Sequence, residues 1–517
     1  MGSEVHGTAL IPAGNASGNR TSGFRRFFGQ DLLHVALLVG LAAAIAGPVF
    51  APIEMVKDPD VWWHLADARI LTSTHHFIRV EPYSFAVAGE RWIDPEWLSE
   101  LPYWFSYSAL GLRGIHLAML AGLWANLLFV YFRCKWKSRS MKASLVAAVL
   151  AFFLMTINTG ARTIVVAYLA LSAEMAILEA SERGRKQLLW LLPPLFCLWI
   201  NLHGSWIIGL CYLGAYIACG WIKVHLGPFE QEAFSRVDRN RLLGVFLAST
   251  LALMANPYGW RLIWNPFDML ANQRLMLSVT EEWKPLSPSS STGIAAVLVI
   301  GATVALNLWR RRKWKVYELA FMMASWGYAF AHQRFAYMAA IVTIPWLAAD
   351  LAQTYFGEQN EKTIPLLNAL IAVGVAAAIV FYFPSEAALR KNLAEKMPLE
   401  TIASIQPSWR TFSDYFLGGV LAFESKPDFV DSRNDTFEHH GIFSQFLTIE
   451  NTPDPFGLLD SNHIDHVLTR SNSLLGHSLE QSREWRLARR EGTGDGAYEF
   501  FERVAWAMGQ GIGPAAQ

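Results

Sequence analysis

The sequence predicts an α-helical multi-pass membrane protein of about eleven spans, carrying a small α/β domain outside the membrane at its C-terminal end. Three observations lead there. Of 517 residues, 53% are hydrophobic and only 17% charged, with 21 tryptophans, too apolar a composition for a soluble chain of this length. Apolar runs of spanning length, or nearly so, recur as far as residue 384. From about residue 385 charge and histidine rise and the runs stop.

Forty-three Lys and Arg balance 43 Asp and Glu, so no global basic signal points to nucleic acid. All four cysteines lie before residue 220, in or beside apolar runs, which argues against a disulfide scaffold or a cysteine metal site. Residues 1–31 are polar and end in Phe24-Arg25-Arg26-Phe27-Phe28, which reads as a cytoplasmic tail with a basic anchor. A twin-arginine export signal is the competing reading, but the apolar run behind it is long enough to span and many more follow.

The runs fall near 32–53, 112–132, 143–158, 163–180, 187–202, 206–222, 242–257, 292–309, 317–331, 335–355 and 364–384, making residues 32–384 the transmembrane domain. Lys and Arg gather in alternate connections, at Arg25–Arg26, Arg133–Lys142, Arg183–Lys186, Arg236–Arg241 and Arg310–Lys315. By the positive-inside rule those connections are cytoplasmic, so the N-terminus is inside and the C-terminal region outside. The outer connections are then 54 to about 110, 158–162, 201–205, 256–291 and 332–334. The first outer loop, 54–110, reads as two short helices, 60–72 and 94–108, joined by a turn or hairpin around Tyr83 to Trp92. Trp97, Leu98, Leu101 and Trp104 give the second helix the spacing of a segment lying in the membrane plane. In the outer domain, 385–517, strands are expected at 427–431, 463–468 and 497–501, with helices at 438–449 and 472–482.

The chemistry concentrates where the chain first leaves the membrane, in Asp58-Pro59-Asp60-Val61-Trp62-Trp63-His64. If Asp60 opens a helix, His64 is its i+4 neighbour. A carboxylate at a low-dielectric boundary can have its pKa raised into a useful range for taking a proton. The plainer reading is a helix cap with interfacial tryptophans. Asp94 and Glu96 either cap the following helix or join the site, and Trp62, Trp63, Trp92 and Trp97 either stack on a ligand or form an aromatic belt. Ionisable groups at outer ends of spans, Arg162, His203, Arg261, His332 and Arg334, can stabilise a developing negative charge or snorkel to lipid phosphate. Asp58, Asp60, His64, His75, His76, Asp94 and Glu96 also offer ligands for a divalent cation, though adjacent His75 and His76 would point apart on a regular element. Composition leaves the metal unknown.

These motifs resemble those of bacterial membrane glycosyltransferases of the GT-C superfamily. That group includes protein O-mannosyltransferases, oligosaccharyltransferases and lipid A sugar transferases, and it takes sugars from polyprenyl-phosphate carriers. The resemblance runs through the Asp58–His64 motif, Tyr83-Ser84-Phe85, Asp94-x-Glu96-Trp97-Leu98, Asn201-Leu202-His203-Gly204, Asn256-Pro257-Tyr258-Gly259-Trp260, Glu282-Trp283 and Asp431-Ser432-Arg433-x-Asp435. It implies a first-loop carboxylate acting as general base on an acceptor hydroxyl, with inversion at the anomeric carbon. Asp60 matches that position best and Asp58 next. In those enzymes Glu commonly follows the catalytic acid, whereas Val61 follows here.

The expectation is therefore a glycosyltransferase of a bacterial inner membrane, moving a sugar from a polyprenyl-phosphate donor to an envelope acceptor on the outer side. Asp60, Asp58 and His64 would be catalytic. Trp62, Trp63, Asp94, Glu96, Arg162, His203 and Arg334 would bind substrate. Its partners would be the lipid-linked donor, membrane lipids and the acceptor. The rivals are a transporter or flippase of a lipid-linked precursor, which would carry broken helices in paired halves, and a non-catalytic envelope scaffold.

Overall fold

The computed structural model describes residues 31–155, 162–356 and 364–504. The N-terminal tail, apart from Asp31, and residues 158–161 of the second outer connection lie outside the described residues. Each of the apolar runs forms a helix. Among the described residues, five helices are long and apolar enough to cross a membrane: Leu112–Ser138, Ile164–Glu182, Ser291–Arg310, Gln333–Phe356 and Pro365–Tyr382. Leu32–Ile45, Met141–Met155, Lys186–Leu202 and Trp206–Cys219 are shorter apolar helices, and Arg236–Ala252 and Val316–Ala331 complete the set. The run 336–351 is central. Ala336, Ala339, Ala340 and Ala348 are fully covered there, because small side chains let neighbouring backbones approach where lipid offers no hydrophobic drive between helices.

The connections sort to two faces. The basic ones are held together by ion pairs: Lys135 with Asp31, Arg133 with Glu179 at 2.9 Å, Arg310 with Asp350 at 2.9 Å and Lys315 with Glu182 at 3.0 Å. A small hairpin, Val224–Leu226 with Phe229–Gln231, joins the Trp314 connection through Glu230 N–H to the Trp314 carbonyl. The connections read as outer meet elsewhere, around one cavity.

In the first outer loop, helix Asp60–Thr74 begins after Pro59, and Asp58 Oδ1 accepts the amide of Asp60 at 3.2 Å. It ends at His75, whose φ of 59° is left-handed. An antiparallel bridge between Val80 and Arg91 closes the hairpin, and helix Trp97–Leu110 follows.

Beyond residue 385 a four-stranded mixed sheet runs in the spatial order Thr411–Ser413, His466–Arg470, Tyr498–Arg503, Trp485–Glu491. Its first pair is parallel and the other two are antiparallel. Residues 427–431 are not a strand of this sheet; Asp428 instead bridges to Ser84 in the first outer loop. Gly441, at φ 71°, breaks the helix expected at 438–449 into Asn434–His439 and Ile442–Asn451. Strands Thr411–Ser413 and Trp485–Glu491 carry no clean alternation of apolar and polar side chains, so periodicity misses them.

This region builds only part of its own core. Phe412, Phe429, Phe437, Phe446 and Phe501 pack together, but a second cluster joins Leu389, Leu417, Leu421, Phe423 and Leu468 to Val61, Trp62 and Leu65 of the first outer loop. Loop and C-terminal region fold as partners, with helix Tyr415–Phe423 lying against the start of helix Asp60–Thr74. Gly419 permits that approach, since a Cβ there would sit 2.3 Å from the carbonyl oxygen of Pro59. Gly419→Ala is expected to lower stability by about 1–3 kcal/mol through overpacking and to expose the region after residue 385 to protease. Gly457→Ala, with nothing within 4 Å of its Cβ, is the silent control. Thermal unfolding and limited proteolysis in lipid nanodiscs check both.

Candidate active site

A cavity of about 820 Å³ lies where the outer connections meet. The first-loop helix supplies Asp60, Trp63 and His64, and the following turn supplies Glu96. Arg162, His203, Glu282 and Arg334 come from the other outer connections, and Tyr415 and Ser432–Asp435 from the C-terminal region. Its apolar lining includes Ile164, Ile207, Ile208, Phe335 and Met338, at the first turns of apolar helices.

The dominant interaction is ionic. Arg162 Nε donates to Asp58 Oδ2 at 2.5 Å, and its Nη1 pairs with Glu282. Arg334 Nη1 holds the other oxygen of Glu282 at 3.1 Å and stacks its guanidinium over Trp283. Burial works against the charge on Glu282, but Arg334 and then Arg162 more than offset it and hold that carboxyl below its usual range. Asp58, only 2% exposed, is absent from the cavity lining and serves as the anchor of Arg162.

Asp60 opens the helix and faces the cavity. Its Oδ1 accepts the indole N–H of Trp63 at 3.2 Å, and the same N–H reaches Ser432 Oγ at 3.0 Å, tying the helix start to the C-terminal region. Burial raises the Asp60 pKa, with Arg162 pulling in the opposite direction, so this carboxylate is more basic than one in water. His64 does not pair with Asp60, although i+4 spacing allows it. The ring turns to Glu100, with Nδ1 2.7 Å from Oε1, and its Nε2 lies 3.7 Å from Glu96.

His203 is fixed as one tautomer. Its Nδ1 accepts the amide of Ser205 at 2.9 Å, so Nε2 carries the proton and faces Glu96 Oε1 at 3.2 Å. Burial, then the charge of Arg334, lowers its pKa to about 3. The ring is therefore neutral and placed to orient Glu96, not to supply charge to a phosphate. Burial raises Glu96 to about 8, and Thr163 donates to its second oxygen.

Other residues singled out in the sequence lie elsewhere. Trp62, one helical step from Trp63, points into the shared core and packs on Phe423 with ring centroids 5.4 Å apart. Asp94 is buried behind the cavity and accepts the amide of Glu96 at 2.9 Å. Trp97 donates to Asn201 at 3.0 Å, and His332 lies against the Trp283 carbonyl at 2.7 Å, both in structural roles. His75, His76 and Arg261 are exposed and outside the lining. Of the seven candidate ligands, Asp60, His64 and Glu96 line the cavity, Asp58 and Asp94 are buried outside the lining, and His75 and His76 stand apart. Among the described residues, the group spaced to hold a metal ion is Asp67, Asp94 and Glu100, none of which lines the cavity.

Glu282 and the 432–435 segment belong to the lining although motif reading gave them no role. Glu282-Trp283 sets an acid beside a tryptophan within an outer connection, a signal present in the sequence. Helix Trp260–Asn272 was also missed: Trp260, Trp264 and Phe267 expose one face at i, i+4, i+7 spacing, while Asn265, Pro266 and Met269 line the cavity.

No family model matches the chain, and no curated protein matches it in sequence. Solved structures do. The oligosaccharyltransferase of Archaeoglobus fulgidus in its apo form superposes with a TM-score of 0.52 at 13% identity, covering 87% of this chain and 70% of that one. The fold is that of an oligosaccharyltransferase. A second structure, the archaeal oligosaccharyltransferase AglB from Archaeoglobus fulgidus in complex with an inhibitory peptide and a dolichol-phosphate, matches with a TM-score of 0.50 at 13% identity, over 85% of this chain and 69% of that one. At this identity the likeness is one of architecture. On this oligosaccharyltransferase fold, a guanidinium stands between Asp58 and Glu282.

Removing that guanidinium leaves two carboxylates facing each other in a buried setting. Arg162→Met is expected to cost about 3–5 kcal/mol of stability. Adding Asp58→Asn to it should recover part of the loss, because the removed partner no longer strands a charge. Thermal unfolding of the single and double variants in nanodiscs measures the coupling; strictly additive effects would contradict it.

Proposed function

We propose that the protein is a membrane glycosyltransferase that moves a sugar from a polyprenyl-phosphate donor to a hydroxyl-bearing envelope acceptor on the outer side of the membrane, with Asp60 as general base. The single observation that carries this reading is the cavity itself, where a carboxylate of raised basicity faces two guanidinium groups beside the apolar first turns of membrane helices. A transporter would need ionisable groups near mid-span in paired broken helices, and these groups instead gather on one face. The neighbouring fold that binds a dolichol-phosphate and a peptide supports the same class of encounter, a lipid phosphate meeting an acceptor.

In this reading the donor phosphate lies against Arg334 and Arg162, with its lipid along Ile207, Ile208 and Met338. The acceptor enters on the side of Tyr415 and Ser432–Asp435. The acceptor oxygen attacks the anomeric carbon from the face opposite the phosphate, the carbon–oxygen bond to phosphate breaks, and its electron pair leaves on the polyprenyl phosphate. The hydroxyl proton passes to Asp60. Glu282 and Asp58 hold the two guanidiniums where charge develops on the leaving group. Asp60 is kept from rotating away by Trp63, while Glu96 and His203 form a neutral wall beside it.

Purified protein in nanodiscs, given a panel of radiolabelled polyprenyl-phosphate sugars and host envelope extract, is expected to release label from one carrier. Asp60→Asn should lower the rate by about 100-fold or more while remaining folded. The wild-type rate should fall on acidification through a pKa above the usual carboxylate range, since the base acts only when ionised, and that limb should vanish in Asp60→Asn. Equal rates in both proteins would remove Asp60 from the chemistry. No consumption of any donor in the presence of a demonstrated acceptor would favour the transporter or scaffold readings.

A further inference from the structure

The wall that the C-terminal region gives to the cavity differs in chemistry from the side that holds Arg162 and Arg334. On helix Ile442–Asn451, Phe443, Phe446, Leu447 and Glu450 fall at i, i+3, i+4 and i+7, so one face brings three apolar side chains and a carboxyl to the cavity. The Tyr415 ring packs on Phe443 and Phe446 with centroids 6.3 and 6.1 Å apart, which fixes its plane. Asp435 completes the wall.

The polar groups of this wall have bonding capacity left over. The Tyr415 hydroxyl accepts the side-chain amide of Asn434 at 2.7 Å and keeps its own hydrogen to donate. Among the described residues, no hydrogen bond or ion pair reaches the carboxyl of Glu450. Burial raises its pKa to about 8, with Asp414 adding to the rise and Arg470 opposing it. Near neutral pH the group is mostly protonated, and a protonated carboxyl both donates and accepts. Burial also raises Asp435 to about 6, against the Thr436 amide and Arg433, so that group remains mainly an acceptor.

That chemistry sorts the acceptors. An anionic one, such as a phospholipid headgroup, meets acids here and no spare cation: Arg433, the guanidinium on this wall, is committed to Asp431 at 2.5 Å and Glu81 at 2.8 Å. An extended peptide is commonly bound by main-chain bonds along a sheet edge, and among the described residues no strand of the four-stranded sheet lines the cavity. A sugar ring matches what is present. Its C–H face suits aromatic side chains, and each hydroxyl on its rim both donates and accepts.

We infer that this wall is a subsite for an uncharged sugar residue, so that the acceptor is a neutral glycan, with Tyr415 and Glu450 setting the specificity. The inference rests on the transfer reaction proposed above and names the class of its acceptor. A sugar hydroxyl is then the nucleophile. Its oxygen bonds to the anomeric carbon of the donor, its proton passes to Asp60, and the bond to the carrier phosphate breaks with its electron pair leaving on the phosphate. The bond formed joins one sugar to another.

Full-length protein in nanodiscs is given the labelled carrier that it consumes together with host envelope extract, and the labelled product is classified. It is expected to stay in water after solvent extraction, to survive protease and to pass an anion exchanger unbound. Label in a protease-sensitive product, in the organic phase or held on the exchanger would overturn the inference while leaving sugar transfer intact. Glu450→Leu is expected to raise the KM for acceptor at least about tenfold and to lower kcat far less, because binding is lost more than chemistry. Glu450→Gln, which still donates and accepts, should recover most of that loss. Ser444→Ala, on the exposed face of the same helix, should change neither constant. An unchanged KM in folded Glu450→Leu overturns the subsite, and if that variant does not fold, Tyr415→Phe is held to the same shift. If no carrier is consumed, the transfer reading itself fails, and saturation-transfer NMR decides the subsite with uncharged oligosaccharides cut from the envelope extract by mild acid. Binding to wild type that weakens in Glu450→Leu or Tyr415→Phe would support it; no binding, or binding equal to wild type in the variants, would overturn it.

Discussion

The guanidinium of Arg162 holds the cavity together. It ties Asp58, at the point where the chain enters the first outer loop, to Glu282, more than a hundred residues further on, and Arg334 takes the second oxygen of Glu282. Four outer connections are thereby registered by ionic contacts among partly buried groups, with Asp58 fully covered. In a low-dielectric setting such contacts are strong when complete and costly when broken. The same pairing fixes the electrostatics of Asp60, which keeps a raised pKa from burial while Arg162 limits the rise.

The second constraint is apolar. Helix Asp60–Thr74 cannot bury Val61, Trp62 and Leu65 within its own loop, and it does so against Leu417, Leu421 and Phe423. The region after residue 385 therefore completes the first outer loop as much as it forms a separate domain. This accounts for the geometry of the cavity, because the segment that carries Ser432 and Asn434 is delivered by the same packing that positions Asp60. Glu438 adds a further tie by accepting the amides of Leu275 and Met276, and His439 pairs with Asp268, so helix Trp260–Asn272 is bound to the C-terminal region as well.

Much of this was legible in the sequence, for identifiable reasons. Apolar runs announce helices because every backbone group in lipid must be satisfied within its own segment, and each of the runs is a helix. The Asp60 helix was legible from Pro59 and the acids before it. Tertiary choices were not. Local spacing cannot tell that Trp62 turns to the core and Trp63 to the cavity, since both depend on where the C-terminal helix docks. Nor can it show that His64 turns to Glu100 in place of Asp60, or that the amide of Ser205 fixes the tautomer of His203. Nor does spacing show that Asp67 and Glu100 come together, since that depends on how helix Asp60–Thr74 packs on helix Trp97–Leu110. Residues 427–431 read as a short strand around Phe429 and Val430, yet Asp428 finds its partner in Ser84, far back in the chain.

The central claim is that the cavity receives a lipid-linked phosphate between Arg334 and Arg162, within reach of Asp60. A cryo-electron microscopy structure of the protein in nanodiscs with a polyprenyl phosphate would test it most directly. The account predicts phosphate density bonded by both guanidiniums, with the lipid chain leaving past Ile207, Ile208 and Met338. Phosphate bound at the basic connections around Arg310 to Lys315, with the cavity left without it, would contradict the account.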